Sequence, residues 1–131
     1  MKALTLWQPW ASAIPYGFKG IETRSWGTNY RGPLAIHASK RKMDQAIWEE
    51  LCHKLPELRN IETYPFGCIV ATCKLIVCTK IIFRFKADRP DMVLGDFTPG
   101  RYAWILRAIK AVDPPIAAKG HQGLWEWEEA I

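Results

Sequence analysis

The run FGCIVATCKLIVC, residues 66–78, restricts what this chain can fold into more than any other stretch. Its β-branched residues sit well on a pleated surface and are held stiffly at χ1, so the run predicts a strand. It is the longest strand signal in the sequence, and a strand of that length needs a sheet to receive it. With 131 residues, 49% of them hydrophobic, the chain can build one core. The expected organisation is a single domain over residues 1–131. A charged fraction of 24% in such a chain argues against disorder.

The flanking segments extend the pattern. KALTL, residues 2–6, predicts a short strand. Pro9 suits the first turn of a helix, where its missing N–H costs nothing. That helix, PWASAIPYG, should be short, limited by Pro15 and closed by Gly17. IETRSW then alternates, with Ile21, Thr23 and Ser25 on one face and Glu22, Arg24 and Trp26 on the other. GTNYRG is a loop by composition, and PLAIHA returns as a strand. Ser39 reads as an N-cap for a helix reaching about Leu55, with Met43, Ile47, Leu51 and Leu55 at helical spacing. Residues 83–100 read as a long loop with helical turns. RYAWILRAIKAV fits either periodicity and is taken as a strand because a Pro-Pro turn follows. HQGLWEW closes the chain as a turn and a short strand. The predicted class is α+β, a small mixed β-barrel with helices after the first and third strands, because strand–helix alternation does not continue.

Charge is unevenly spread. The net charge is +5, yet residues 1–42 carry seven cations against one carboxylate, Glu22. The remainder is close to neutral. A basic N-terminal third suits a polyanion such as nucleic acid, and an ordinary solvated face is the alternative. The four cysteines lack paired C-x-x-C spacing, and three scattered histidines make no ligand set, so neither a metal nor a cofactor is expected. Buried free thiols are the expectation, with Cys73 opposite in parity to Cys68 and Cys78. No apolar run approaches the roughly 20 residues of a membrane span, and no leader is evident. A cytoplasmic protein without a membrane partner is the corresponding expectation.

LWQPWASAI, GFKGIETRSW, YRGPLAIHASK, FGCIVATCKL, YAWIL and KGHQGLW together resemble the ASCH (activating signal cointegrator homology) domain family, relatives of the RNA-binding PUA fold. The most specific element is G-x-K-x-x-E-x-R, here Gly17, Lys19, Glu22 and Arg24. The resemblance implies a barrel with a cleft beside the first helix, walled by the QPW turn and the KGIETR segment. It also implies a nucleic-acid-related role without fixing a reaction. Family members include RNA binders, DNA binders, nucleases and an amidohydrolase of acetylated cytidine.

Within that frame the candidate ligand-binding residues are Gln8, Trp10, Ser12, Lys19, Glu22, Arg24, Trp26, Arg31 and Lys40. Trp10 can stack a base, Gln8 can read a base edge, and Ser12 supplies a hydroxyl. Trp7, ending an apolar strand, is expected in the core. Glu22 can pair with Arg24 and hold its planar fork toward a phosphate or base edge, or the cluster can be a structural ion pair. Lys19 can neutralise a phosphate. Arg31 follows Tyr30 in a loop able to wrap a phosphate. Lys40, in the SKRK run, falls in the expected first helical turn, where a docked phosphate would offset its conflict with the helix dipole. The partner is then RNA, another single-stranded nucleic acid, or a nucleotide. If the chain is instead a hydrolase of RNA or of an acylated nucleoside, Lys19 and Glu22 are the catalytic candidates. The amidohydrolase subgroup carries a threonine where this chain has Glu22.

Overall fold

Six strands form one mixed sheet in the computed structural model, which describes residues 1–129. In chain order the elements are β1 (Lys2–Leu6), α1 (Trp10–Ala13), β2 (Ile21–Arg24), β3 (Gly32–Ala38), α2 (Gln45–Lys54), a 3-10 turn (Pro56–Asn60), β4 (Cys68–Lys80), α3 (Arg89–Leu94), β5 (Tyr102–Ala117) and β6 (Leu124–Glu126). The strand order is β2-β5-β4-β3-β1-β6. β1 and β3 run parallel, and the other neighbours are antiparallel. The sheet curls into a half-barrel around Leu4, Leu34, Ile36, Leu75, Trp104 and Leu106, and a second apolar cluster joins α2, the 3-10 turn and α3. The long apolar run is thus a strand, as the sequence predicts, and it lies inside the sheet; helices follow the first and third strands. No helix of the described residues is long and apolar enough to cross a membrane.

Local chemistry explains most boundaries. α1 is a single turn that stops before Pro15, and Gly17 takes a positive φ of 85° where the chain turns away. α2 departs from expectation. Ser39 does not cap it; the cap is Asp44, whose side chain accepts the Ile47 N–H at 3.1 Å. The Ser39 hydroxyl instead accepts the Arg41 N–H at 3.0 Å in a tight turn. Lys40, Arg41 and Lys42 therefore precede the helix, and the conflict with its dipole does not arise.

β5 also differs from its expectation, because Pro114 and Pro115 do not end it. Between two registered pairs, β5 advances from Ala111 to Ile116 while β4 moves only from Ala71 to Ile69. The bulge absorbs two residues that cannot donate to the ladder. A second irregularity, one extra residue of β4 (Val70) against β3 between Ile36 and His37, breaks the side-chain alternation of β4. Cys68 and Val70 share one core cluster with Ala71, Cys73 and Leu75, so Cys68 and Cys73 lie in the same core rather than on opposite faces. All four cysteines are free. Burial pushes the Cys73 thiol up to about 12 and raises those of Cys52 and Cys68.

Candidate functional site

A cleft of about 440 Å³ opens where β1 ends. Trp7, Trp10 and Arg24 line it, together with Leu94, Asp96 and Arg101. Trp7 corrects the sequence reading. Alternation continues one residue past the buried Leu6, which leaves Trp7 outside the core and 49% exposed. The Arg41 guanidinium lies 3.8 Å from the centre of its ring. Trp10 is half-buried and packs against both apolar clusters, so its ring is fixed from behind while it faces the cleft.

Gln8, between the two tryptophans, turns inward. Its amide nitrogen donates to the Ser12 hydroxyl at 2.6 Å and to the Pro65 carbonyl at 2.8 Å, and its oxygen accepts the Ser12 N–H at 2.9 Å. Gln8 and Ser12 thereby fasten the QPW turn to α1 and to a loop 57 residues away, and neither lines the cleft.

The G-x-K-x-x-E-x-R segment forms a relay of charge. Lys19 is 1% exposed. Its ammonium donates to the carbonyls of Ile21 at 2.7 Å and Leu94 at 3.2 Å and stands 3.2 Å from Glu22 Oε1. Glu22, 8% exposed, reaches Arg24 Nε with its other oxygen, also at 3.2 Å. Arg24 Nη2 donates to the Thr5 carbonyl at 2.7 Å. Nε is buried and lacks an aligned acceptor, and Nη1 has no hydrogen-bond partner among the described residues. Glu22 and Arg24 thus share a face of β2, as strand parity predicts. Lys19 holds them from beneath and contributes no surface to the cleft.

More of the lining comes from the segment around α3, within the stretch the sequence reads as a long loop with helical turns. Asp91 accepts the N–H groups of Gly20 and Ile21 at 2.9 and 3.0 Å, docking α3 on the turn that carries Lys19. The Asp96 N–H donates to the Thr23 hydroxyl at 3.0 Å, and Arg101 pairs with the Asp96 carboxylate at 3.5 Å. Hydrogen bonds from Thr98, aided by the Arg101 charge, hold the Asp96 carboxyl below its ordinary range. Trp7, Asp91, Asp96 and Arg101 are the site residues missed by sequence reasoning. The alternation of β1 could have revealed Trp7. The other three are brought in by tertiary contacts.

The remaining candidates lie outside this cleft. Trp26 packs edge-on against the buried Trp104 with centroids 4.9 Å apart and sits 5.8 Å from the Arg24 guanidinium. Arg31 spends its donors on the carbonyls of Thr28, Tyr30 and Cys78, tying down its own loop. Lys40 lines a second groove, together with the buried strand residue His37.

A curled mixed sheet with few helices and a side cleft at the end of its parallel pair defines a small half-barrel class. Within that class the chain belongs to the ASCH domain family, whose pattern it matches over residues 4–115. It is similar to activating signal cointegrator 1 of Homo sapiens, 30% identical over 133 residues, and to that of Mus musculus, 29% identical. Each alignment covers 98% of this chain and 22% of the relative, so the chain spans about a fifth of those proteins. Among solved structures it is similar to an ASCH protein of Zymomonas mobilis, with a TM-score of 0.58 and 15% identity, covering 98% of this chain and 87% of that one. A mutant of that protein gives 0.55 and 14%, with coverage of 98% and 90%. At this identity the likeness shows the fold.

Proposed function

We propose that this domain binds RNA, or a modified nucleotide within it, by holding a base in the cleft between Trp7 and Trp10 and the α3 segment. The observation that carries the reading is the pairing of two cleft-lining tryptophans with an arginine held by Glu22 and the Thr5 carbonyl. Rigid aromatic faces accept any base, and a pre-positioned guanidinium loses little freedom when it meets a base edge or phosphate. Lys19 supports binding over turnover. Its three nearest polar partners are all acceptors, and a nucleophilic amine would have to give up a proton and leave them. In this reading Lys19 and Glu22 are positioning residues for Arg24.

Fluorescence anisotropy with a labelled single-stranded ribonucleotide tests the proposal. Trp10→Ala should lose roughly 1–3 kcal/mol of binding, the worth of one stacked base. Three to five phosphate contacts would give a slope of log affinity against log salt of roughly −2 to −3.5. Wild-type binding that ignores both salt and Trp10→Ala, or hydrolysis of an acetylated cytidine that disappears in Lys19→Arg, would overturn it.

A further inference from the structure

A second groove of about 780 Å³ adjoins the cleft, and the two share Thr5 as a lining residue. It lies between the end of β3 and the KGHQG turn, residues 119–123, which the cleft does not use. We infer that this groove is the phosphate subsite of a strand whose base occupies the cleft, so that the ligand is an oligonucleotide rather than a free nucleoside. The inference rests on the reading above and adds the place where the backbone phosphate is held.

The two cavities differ in charge. Glu22 and Asp96 line the cleft beside its arginines, which suits a neutral, stackable base better than a phosphate. Lys40, Lys119 and His121 line the groove, and no carboxylate does so among the described residues. His37 at its floor is committed elsewhere. One ring nitrogen meets the Thr5 hydroxyl at 3.2 Å and the other the Ala118 carbonyl at 2.7 Å. Among the lysine and histidine side chains, the two lysines and His121 are therefore left to meet an anion.

The groove is also built rather than incidental. Gly67 donates its N–H to the Ala38 carbonyl at 2.8 Å and accepts from Ala118 at 3.1 Å, which joins the ends of β3 and β5 beneath it. The stem of Lys40 crosses Gly67 so closely that a Cβ there would stand 2.9 Å from Lys40 Cγ. Gly120 similarly makes room for His37, since its Cβ would stand 2.6 Å from the ring. Lys40 lies in the groove, and the next residue, Arg41, stacks on the cleft-lining Trp7 without lining the cleft itself. The Ser39 N–H donates to the Leu6 carbonyl at 2.9 Å, tying the end of β3, beside the groove, to the end of β1, at the cleft. A chain running from cleft to groove would place a base against Trp7 and its adjoining phosphate over Lys40 and Lys119.

The test uses a fluorescein-labelled hexaribonucleotide as tracer, displaced by cytidine or by the dinucleotide CpC. The dinucleotide should compete at least about ten-fold better than cytidine. In Lys40→Ala/Lys119→Ala that advantage should vanish, and the salt slope should shrink by roughly 1.4, two contacts at about 0.7 each. Cytidine competition relative to wild type should hold, because the cleft is untouched. Both lysines are exposed, so the variant should fold, and Lys40→Glu/Lys119→Glu should weaken the tracer further. If wild type binds the tracer but the alanine variant keeps both the slope and the dinucleotide advantage, the groove assignment is wrong and the cleft reading survives. If wild type binds no tracer, both fall.

Discussion

Replacing Glu22 by glutamine isolates the energetics of the charge relay. Lys19 is sealed from solvent, and Glu22 is its only anionic partner among the described residues, 3.2 Å away. Glutamine has nearly the same shape and keeps an oxygen near the ammonium, so packing is conserved while the compensating charge is lost. Removing one member of a buried pair costs about 3–5 kcal/mol, because the other charge is left uncompensated. For a domain of this size that is a fall in Tm of roughly 10–20 °C. In urea the midpoint should drop by about 1.5–3 M at unchanged m. Arg24 contributes less to the loss, since its side chain is 24% exposed and can recruit water. The double variant Lys19→Met/Glu22→Gln removes the stranded ammonium, so it should be more stable than Glu22→Gln alone by at least about 1 kcal/mol. Urea melts followed by circular dichroism give both numbers. A single variant within about 1 kcal/mol of wild type, or a double variant no better than the single, would refute the claim that Glu22 compensates a buried lysine.

Asp44→Ala should cost about 0.5–2 kcal/mol while Ser39→Ala costs much less, as the cap geometry requires; paired thermal melts decide this. Burial lowers the His37 pKa from its ordinary value near 6.5, partly offset by its bond to the Ala118 carbonyl. The unfolded chain then binds the extra proton first, so stability should fall as pH drops below about 6.5, and His37→Asn should flatten that stretch of the stability–pH curve. Cys78 is the least buried of the four thiols, and it should react first with a disulfide reagent at pH 8. Cys73, held up at about 12, should react only after unfolding, as timed thiol labelling with mass spectrometry would show.

What could be read from the chain alone was whatever neighbouring residues impose on one another. The β-branched run at residues 68–78, the KALTL strand, the single turn between Pro9 and Pro15, and the shared face of Glu22 and Arg24 all follow from pleat, ring closure and side-chain period. The tertiary structure decided where those local pieces meet. The bulge of β4 against β3 moved Cys73 into the same core as Cys68, a shift invisible without the partner strand. Gln8, suited by its chemistry to read a base, was claimed by Ser12 and Pro65, and Lys19 by the carbonyls of Ile21 and Leu94. Asp96 and Arg101 became cleft residues only because Asp91 docks α3 against the turn before β2. Dihedral preference and side-chain alternation act over a few residues and leave a mark on sequence. Register and the capture of a polar side chain by a distant carbonyl are settled by which segments pack together, since a buried polar group must take a partner wherever the fold supplies one.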